Sequence, residues 1–373
     1  MFSFYAPARI RFGEGCRREL PAFLKKWGTR GMLVLSRSLT SFGEELISDC
    51  RREGLEVSLF VTERGEPTLA SVEACADAAR CAGAEFLAAL GGGSCLDTVK
   101  AAAGLAAESF PLRDYLEGVG IGRKLQAEPL PWVALPTTAG TGAEVTKNAV
   151  IACPEEGWKK SFRDERLYAA GVFLDPELMT GVPPRVTAES GMDALTQLLE
   201  ALISRKSTPM TRDLALAGLR YAAVLPRVWA EGSDLRLRGQ MALAALYSGL
   251  ALANGGLGAV HGFAAALGSR FGIPHGRACA VFLPHILRVN LPVCRPALEE
   301  AARILTGRSD PEALIDWIES LNRTFGIPED LRFLGLSGAE AEQLVAAAHG
   351  NAFSGNPLEL EGKAWLAEIR KLL

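Results

Sequence analysis

The sequence predicts an α/β fold with two domains: an N-terminal domain with a doubly wound parallel sheet and an all-helical C-terminal domain. Up to about residue 180, short apolar runs alternate with helical stretches, a pattern typical of a parallel sheet covered by helices. After Pro183 and Pro184 the segments become long, rich in Ala and Leu and helix-periodic, which predicts a helical bundle. We therefore expect one domain over residues 1–183 and a second over residues 184–373.

The strands of the first domain are predicted from short apolar runs, as expected for strands that are buried on both faces. These runs are GMLVL (31–35), VSLFV (57–61), FLAAL (86–90), WVAL (132–135) and YAAGVFL (168–174). Two of them lead directly into polar, glycine-containing loops, which makes those loops candidate binding sites.

The first of these loops is a glycine turn after residues 86–90. Gly91, Gly92, Gly93 and Ser94 are followed by the helical pattern CLDTVKAAAGLAA, with Asp97 in its first turn. Glycines let backbone N–H groups approach a pyrophosphate closely, and the positive end of the following helix favours negative charge. The turn predicts a phosphate-binding site, although three glycines also occur in ordinary tight loops.

The second loop follows residues 132–135 and is rich in hydroxyl groups and glycine. Its polar residues include Thr137, Thr138, Thr141 and Glu144. Ligands of open parallel sheets bind outside the carboxyl ends of the strands, so both loops are expected to face the same crevice. An alternative is that Thr141 caps a helix, with Glu144 as its capping-box partner.

The second domain contains a candidate metal site. The chain has four histidines, and two of them, His261 and His275, lie fourteen residues apart, while Asp193 is at the start of the helix-like stretch DALTQLLEALIS. Imidazole and carboxylate groups bind Zn²⁺ and Fe²⁺, and three protein ligands leave a coordination position for water or substrate. From spacing alone, ordinary hydrogen-bonded histidines are an equally good interpretation.

Composition narrows the class of protein. A net charge of −3 argues against a nucleic-acid-binding surface. The eight cysteines lack paired spacings, which indicates packed, reduced thiols in a cytoplasmic protein. The N-terminus has no signal-peptide pattern, and the apolar stretch 241–260 is interrupted by glycines and polar groups, so we expect no membrane partner.

Six blocks of the sequence resemble the iron-containing (group III) alcohol dehydrogenases, in that family's order and over nearly the whole chain. They are ARIRFGEG, GGGSCLDTVKA, LPTTAGTGAEVT, FLDPELMTGVPPRVTAESGMDALTQLLEA, HGFAAALGSRFGIPHGRACAVFLPH and GNPLEL. The resemblance implies a dehydroquinate synthase-like fold, with a Rossmann-like dinucleotide-binding domain, a helical metal-binding domain and a cleft between them. It also implies hydride transfer between NAD or NADP and a small alcohol, aldehyde or ketone, in a homodimer or larger homo-oligomer.

The resemblance assigns roles to particular residues. It implies that Asp193, His261 and His275 hold a divalent metal, Fe²⁺ or Zn²⁺, and act in catalysis on the substrate oxygen. Lys160, in GWKKSF, matches a family lysine near the ribose. The residues expected to bind the cofactor are Ser36, Gly92, Gly93, Ser94, Asp97, Thr137, Thr138, Thr141 and Lys160.

The chain departs from the family's pattern at the metal site. Four residues after the aspartate the family has a histidine, and this chain has Gln197. Because residues i and i+4 share a helix face, Gln197 remains a candidate: its amide can bind the metal weakly, hydrogen-bond a bound water or only pack. Fewer imidazoles weaken Fe²⁺ retention and bring the site closer to that of glycerol dehydrogenases and dehydroquinate synthases, which use Zn²⁺; loss of the metal altogether is also left open.

Two further departures concern proton transfer and cofactor choice. Ala265 stands where many family members have a histidine implicated in proton transfer, so the relay must use water, a ribose hydroxyl or another polar group. Ser36 and Arg37 follow the first predicted strand, where many NAD-preferring relatives have an aspartate. Without that carboxylate NADPH is expected to be accepted, and Arg37 is either its 2′-phosphate partner or a solvated surface charge.

The other two histidines are not predicted to bind the metal, and three alternative functions remain. His285, in FLPHI, is interpreted as structural, and His349, in AAAHGNAF, as a capping or packing residue. The alternatives are a dehydroquinate-synthase-like lyase, a metal-independent reductase resembling maleylacetate reductase, and a catalytically silent nucleotide-binding homologue. The first two need several cations for an acidic substrate, and the sequence near the metal motif offers only Arg270 and Arg277.

Overall fold

The computed structural model describes residues 1–348 and 353–373. The chain divides into two compact units. The α/β unit comprises residues 6–138 and 142–182, and the helical unit comprises residues 1–5, 139–141 and 183–373.

The α/β unit is built on a six-stranded, wholly parallel sheet with the strand order β1-β8-β5-β4-β2-β3. A separate antiparallel hairpin is formed by β6 and β7. The strands are β1 (Ile10–Phe12), β2 (Arg30–Ser36), β3 (Glu56–Thr62), β4 (Phe86–Gly91), β5 (Trp132–Pro136), β6 (Asn148–Cys153), β7 (Trp158–Arg163) and β8 (Gly171–Leu174).

Burial on both faces explains why the sheet was predictable from apolar runs. Every residue of β4, β5 and β8 is buried, as are the five central residues of β2. Parallel strands covered on both sides read as continuous apolar segments rather than as alternating ones. The helices of this unit are α1 (Leu20–Leu24), α2 (Thr40–Arg52), α3 (Leu69–Cys81) and α4 (Gly93–Leu105).

The sheet has its topological switch point at β2. The connection from β2 leads to β3 on one side, and the chain then crosses to β4 on the other side of β2. In doubly wound sheets the crevice at the carboxyl ends of the strands beside such a reversal binds ligands. Ser36 ends β2 and Gly91 ends β4, so the topology places the predicted glycine turn at this point.

The helical unit carries the rest of the chain. Its helices are α5 (Pro184–Ile203), α6 (Pro209–Ala222), α7 (Leu225–Ala230), α8 (Leu235–Gly255), α9 (Ala259–Phe271), α10 (His275–Thr306), α11 (Pro311–Phe325), α12 (Gly338–Ala348) and α13 (Gly362–Arg370). Among the described residues, no single helix is long and apolar enough to cross a membrane; α8 and α9 pass that test only as a pair bent by 103°.

Helix α5 is the central helix of the unit and packs against α6, α8 and α10. It begins at Pro184, earlier than the sequence suggested, so Asp193 lies in its middle rather than at its start. From Gly191 to Ile203 every residue is buried. The first two turns, residues 184–190, are instead partly exposed and include several polar residues, which is why the start of the helix was placed too late from the sequence.

The predicted capping box at Thr141 is not formed. A single 3₁₀ turn, Ala143–Val145, follows Gly142, which has a left-handed φ of 61° and occupies the N-cap position without a side-chain hydrogen bond. Glycine adopts this conformation without the steric cost of a Cβ atom. Glu144 is thereby buried, 3% exposed, instead of capping a helix.

The burial of Glu144 has a consequence for stability. Burial raises the pKa of its carboxyl to about 7, from an ordinary value of 4.5. Between these two values the folded state keeps a proton that the unfolded state has released, so stability falls as pH rises across this range and is constant above it.

We therefore predict that Glu144→Gln stabilises the protein progressively between about pH 4.5 and 7, by on the order of 3 kcal/mol at and above pH 7. Thermal or urea unfolding of the wild type and the variant at pH 5 and pH 8 measures the difference. The exposed residue Glu63 provides a matched control, since Glu63→Gln removes a carboxylate outside the core. An equal effect of Glu144→Gln at both pH values would contradict the prediction.

Candidate metal centre and nucleotide-binding loops

The three side chains predicted to bind a metal lie together in the helical unit. Asp193 comes from α5, His261 from the first turn of α9, and His275 is the first residue of α10. The Nε2 atoms of His261 and His275 lie 3.4 Å and 3.6 Å from Asp193 Oδ1. Asp193 and His261 are buried, whereas the side chain of His275 is 33% exposed, so the cluster is accessible on one side.

The turn between α9 and α10 explains how two histidines fourteen residues apart meet. His261 and Phe271 are ten residues apart in the sequence, which corresponds to about 15 Å along α9. Gly272, with a left-handed φ of 66°, ends α9, and Pro274 precedes α10 in an extended conformation. Residues 272–274 join the two helices, and the two imidazole rings lie 5.3 Å apart between centroids.

Glu200 orients the His261 ring. This buried carboxylate lies on α5, and its Oε2 atom is 2.6 Å from His261 Nδ1, while its Oε1 atom accepts a hydrogen bond of 2.7 Å from Val260 N. With Nδ1–H donating to Glu200, the lone pair of Nε2 points toward Asp193. Among the described residues, His261 Nε2 has no hydrogen-bond partner. A buried nitrogen in this state is what a metal ligand requires before the ion binds.

Close packing at the start of α9 supports this contact. A Cβ atom at Gly258 would lie 2.7 Å from Glu200 Oε1, so only glycine leaves room for the carboxylate beside the helix N-terminus. Asn356, from the GNPLEL block, accepts a hydrogen bond from Ala259 N at 3.1 Å. The sequence analysis identified neither Glu200 nor Asn356; the seven-residue spacing from Asp193 to Glu200, two helical turns on one face, was the available signal.

Cys279 is the fourth donor in the cluster, and the sequence analysis missed it. Its sulfur lies 3.8 Å from Asp193 Oδ1 and 3.7 Å from His275 Nε2. One donor atom from each of Asp193, His261, His275 and Cys279 falls within 4.8 Å of the other three. All eight cysteines are free thiols, as expected, but Cys279 differs from the rest because it follows His275 by one helical turn.

The pKa values show how the cluster differs from the surrounding core. Burial raises the pKa of the Cys50 thiol to about 11 and that of Cys294 to about 12. Burial acts on Cys279 in the same direction, but the imidazoles of His275 and His261 outweigh it and lower the pKa of this thiol.

The pKa values of Asp193 and the two histidines also shift in the directions that favour their charged forms. The pKa of Asp193 is lowered because the two imidazoles outweigh its burial. Both histidines have a raised pKa, because nearby Cys279 and Asp193 outweigh burial. Negative charge at Asp193 and Cys279 and positive charge at the two imidazoles therefore favour each other, and a bound divalent cation can supply that positive charge while the imidazoles stay neutral.

Gln197 lies one turn after Asp193 on α5. Its Oε1 atom accepts a hydrogen bond of 2.6 Å from Ser248 Oγ, and its Nε2 atom donates to Thr141 O at 3.4 Å. A hydrogen bond from this side chain also contributes to the lowered pKa of Asp193. The amide is therefore engaged with its neighbours, and its oxygen in particular is used by Ser248.

Ala265 and His285, two further residues discussed from the sequence, lie on α9 and α10. Ala265 lies one turn after His261 on α9 and is half-buried. His285 is on α10, with Nε2 3.2 Å from Glu368 Oε2, in agreement with a structural role. His349 lies outside the residues that the structure describes.

The predicted cofactor-binding residues of the α/β unit gather at the carboxyl ends of three adjacent strands. Ser36 ends β2, Gly92 and Gly93 follow β4, and Thr137 and Thr138 follow β5. A hydrogen bond of 3.0 Å from Thr137 N to Gly91 O joins the two loops. A Cβ atom at Gly91 would lie 2.6 Å from Ser36 Oγ, and one at Gly92 would lie 3.0 Å from Thr138 Oγ1, so glycine is required for this close approach.

The start of α4 has the features of an anion site. Gly92 occupies the N-cap and has no side chain that could compete for the first N–H groups of the helix. Gly93 and Ser94 form its first turn. Exposed N–H groups and the helix dipole both favour a phosphate there.

Asp97 and Lys160 lie outside the two loops, in α4 and β7. Asp97 Oδ1 lies 3.1 Å from the buried Lys100 Nζ, and its Oδ2 accepts a hydrogen bond of 2.9 Å from Val150 N. This carboxylate therefore joins α4 to β6. Lys160 lies in β7, opposite Ile151 of β6, with Nζ near Gly118. Thr141 belongs to the helical unit, where its carbonyl receives Gln197.

Comparison with known proteins places this geometry in a family. Residues 7–176 match the iron-containing alcohol dehydrogenase family, and residues 187–372 match the C-terminal part of the Fe-containing alcohol dehydrogenase family.

Individual relatives align over nearly the full length. Alcohol dehydrogenase 4 of Saccharomyces cerevisiae (strain YJM789) is 33% identical, with 99% of this chain and 97% of the yeast protein covered. The NAD-dependent methanol dehydrogenase of Bacillus methanolicus is 32% identical over 93% of each protein. The crystal structure of sulfoacetaldehyde reductase from Bifidobacterium kashiwanohense in complex with NAD⁺ is similar with a TM-score of 0.92 and 30% identity, covering 100% of this chain and 98% of that chain. Because both halves are matched and these relatives span almost the entire sequence, the chain belongs to the iron-containing alcohol dehydrogenase family.

Proposed function

We propose that this chain is a metal-dependent, NAD(P)-linked alcohol dehydrogenase that interconverts a small alcohol and its aldehyde or ketone by hydride transfer. The observation that carries the proposal is the convergence of Asp193, His261 and His275 on one point of the helical unit. The names of the yeast alcohol dehydrogenase and the methanol dehydrogenase support the same reaction class. The metal is Fe²⁺ or Zn²⁺, since oxygen and imidazole donors suit both ions.

The two halves of the chain have different proposed roles. Residues 1–183 form the dinucleotide-binding domain and residues 184–373 the metal-binding domain. The protein is a cytoplasmic homo-oligomer, and its reduced cysteines agree with that compartment. The residues proposed to bind NAD or NADP are Ser36, Gly92, Gly93, Ser94, Asp97, Thr137, Thr138, Thr141 and Lys160.

The metal site fits a divalent cation. Its donors are a carboxylate oxygen and imidazole nitrogens, and the buried Nε2 of His261 has no hydrogen-bond partner among the described residues. When bound, the nicotinamide supplies or accepts the hydride and the divalent metal supplies Lewis acidity toward the substrate oxygen. The lowered pKa of Asp193 keeps this ligand ionised, as cation binding requires.

Neighbouring residues position the ligands and limit the route of the proton. Glu200 holds the His261 tautomer by accepting from Nδ1, and we propose that Gln197 supports Asp193 through its side-chain hydrogen bond instead of binding the metal. Ala265 has no group that can accept a proton. The alcohol proton must therefore leave through water, a ribose hydroxyl or another polar group.

The acidic-substrate alternatives find less support. Arg277 Nε donates to Glu189 Oε1 at 3.1 Å, and Arg270 donates to Gln343. Both guanidinium groups are thus already engaged within the helical unit. A lyase or a reductase acting on a phosphorylated or dicarboxylate substrate would need cations that are free to bind it.

We predict that His261→Ala abolishes both metal retention and turnover, because it removes a buried ligand. The assay measures bound metal in the purified protein, together with NADH and NADPH oxidation on short aldehydes, ketones and acidic carbonyls. His285→Gln is the matched control, since it changes a histidine that pairs with Glu368, and it should retain the metal and the activity.

Three outcomes would each contradict the proposal in a different way. Turnover without metal would favour a metal-independent reductase. Nucleotide binding with no turnover on the whole panel would indicate a silent homologue. Turnover confined to a phosphorylated substrate without net NADH consumption would favour the lyase.

We also predict that Glu200→Ala lowers metal affinity by roughly 10–100-fold, the usual effect of removing the partner of a ligating histidine. Glu200→Gln keeps one acceptor oxygen and should lose less. Competition with a chelator measures the affinity, and thermal unfolding of the metal-free proteins separates this effect from stability. Equal metal affinities in the wild type and Glu200→Ala would show that the Glu200 contact does not orient the ligand.

For the cofactor, we predict that Arg37→Ala lowers kcat/KM for NADPH about tenfold while leaving that for NADH nearly unchanged. Arg37 is exposed directly after β2, where a guanidinium group can pair with the 2′-phosphate, a charge-assisted contact worth about 1.4 kcal/mol or more. Arg51→Ala, at an exposed position of α2, is the control. A parallel loss with both cofactors would argue against a 2′-phosphate contact.

A further inference from the structure

We propose that Cys279 is a metal ligand, so that the ion is held by an oxygen, two nitrogens and a thiolate sulfur. The inference rests on the metal dependence proposed above and concerns the fourth ligand, which the chain's Gln197 leaves undetermined. It follows from the distances within the cluster, the surroundings of the sulfur and the engagement of the Gln197 amide.

The distances fit four protein donors around one ion, which would bind the substrate oxygen as a fifth ligand. With Zn–N and Zn–O bonds near 2.0 Å and a Zn–S bond near 2.3 Å, tetrahedral ligands lie about 3.3 Å apart for nitrogen and oxygen pairs and about 3.5 Å apart for pairs with sulfur. The observed separations from Asp193 Oδ1 are 3.4 Å and 3.6 Å to the two imidazole nitrogens and 3.8 Å to the Cys279 sulfur. The sulfur is 3.7 Å from His275 Nε2. The separations from His261 to His275 and to Cys279 are at most 4.8 Å, so all four donors can reach one ion if they draw closer together.

The sulfur contacts the donor groups and not the helix backbone. Cys294, on the same helix, has its sulfur 3.0 Å from the carbonyl of Asn290, four residues earlier, and the buried Cys95 contacts the carbonyls of Val34 and Leu90. Cys279 instead contacts cluster side chains, among them Asp193 and His275. Its side chain is fully buried. The Cys279 thiol therefore lies against the cluster, whereas the thiols of Cys95 and Cys294 contact backbone oxygens.

The Gln197 amide oxygen is disfavoured as the fourth metal ligand because it already accepts a hydrogen bond. Its oxygen accepts from Ser248 Oγ at 2.6 Å, and binding a metal would break that buried hydrogen bond. Leaving the Ser248 contact unmade costs about 1–3 kcal/mol. The thiolate needs no such rearrangement, and with Asp193 it supplies two negative charges to balance a divalent cation. Thiolate ligation favours Zn²⁺ over the harder oxygen-preferring ions.

The test uses cobalt as a spectroscopic probe in the full-length protein. Metal-free enzyme is loaded with Co²⁺, and its absorption is recorded in the visible and near-ultraviolet regions. Ligand-field bands report that cobalt is bound, while a thiolate-to-cobalt charge-transfer band reports a Co–S bond. We expect both in the wild type and in Cys294→Ser, the matched control on α10. Cys279→Ser should lose the charge-transfer band and lose more than tenfold in cobalt affinity.

A second measurement needs no variant and covers the case in which Cys279→Ser fails to fold. X-ray absorption spectroscopy of the zinc-loaded wild type should show one sulfur at about 2.3 Å. Gln197→His in the Cys279→Ala background should restore metal retention without the sulfur signal.

The outcomes separate this proposal from the function on which it rests. Ligand-field bands without a charge-transfer band, together with a zinc shell of only nitrogen and oxygen, overturn the sulfur ligand and leave the metal-dependent dehydrogenase standing. Failure of the wild type to bind either Co²⁺ or Zn²⁺ overturns both proposals.

Discussion

The buried carboxylate of Glu200 is the contact on which the arrangement of the metal centre depends. Removing a carboxylate from water costs several kcal/mol unless it is paired or hydrogen-bonded. Glu200 meets this requirement with the Val260 N–H at the start of α9 and the His261 Nδ1–H. One side chain therefore fixes where α9 begins relative to α5 and which nitrogen of His261 faces Asp193. Gly258 makes the approach possible, because any Cβ there would collide with the carboxylate.

Three polar side chains with different roles lie on one face of α5. Asp193, Gln197 and Glu200 follow one another at spacings of four and three residues, so their side chains lie on one stripe about 10 Å long. The first supplies a ligand, the second engages Ser248 and Asp193, and the third orients His261. Because these three side chains are buried, each of their polar groups needs a hydrogen-bond or ion-pair partner. A substitution at one position is therefore expected to alter the contacts of the other two.

The sequence predicted features governed by local pattern more completely than those governed by side-chain contacts across helices. Continuous apolar runs identified β2, β3, β4, β5 and β8, and the family resemblance, which the comparisons confirmed, supplied the metal-ligand set. Glu200 was missed because its seven-residue spacing from Asp193 indicates a shared helix face but does not identify His261 as its partner. Cys279 was missed because it was grouped with seven other thiols; its four-residue spacing from His275 was visible in the sequence, but its contact with Asp193 of α5 was not.

The nucleotide loops illustrate the difference between backbone and side-chain recognition. At Gly91 and Gly92 the absence of a Cβ atom allows close packing, since Cys95 and Ser36 lie where a Cβ at Gly91 would be and Thr138 lies beside Gly92. Such positions can be recognised from sequence because glycine has few other reasons to occur there. Asp97 is different: the same residue type at the start of a helix serves equally well to bind a ribose or, as its contacts with Lys100 and Val150 show, to hold a hairpin in place. A carboxylate with both oxygens already engaged would have to give up one of these buried contacts to bind a cofactor, whereas the N–H groups at the start of α4 carry no such cost. Phosphate recognition by this chain is therefore expected to depend mainly on its backbone.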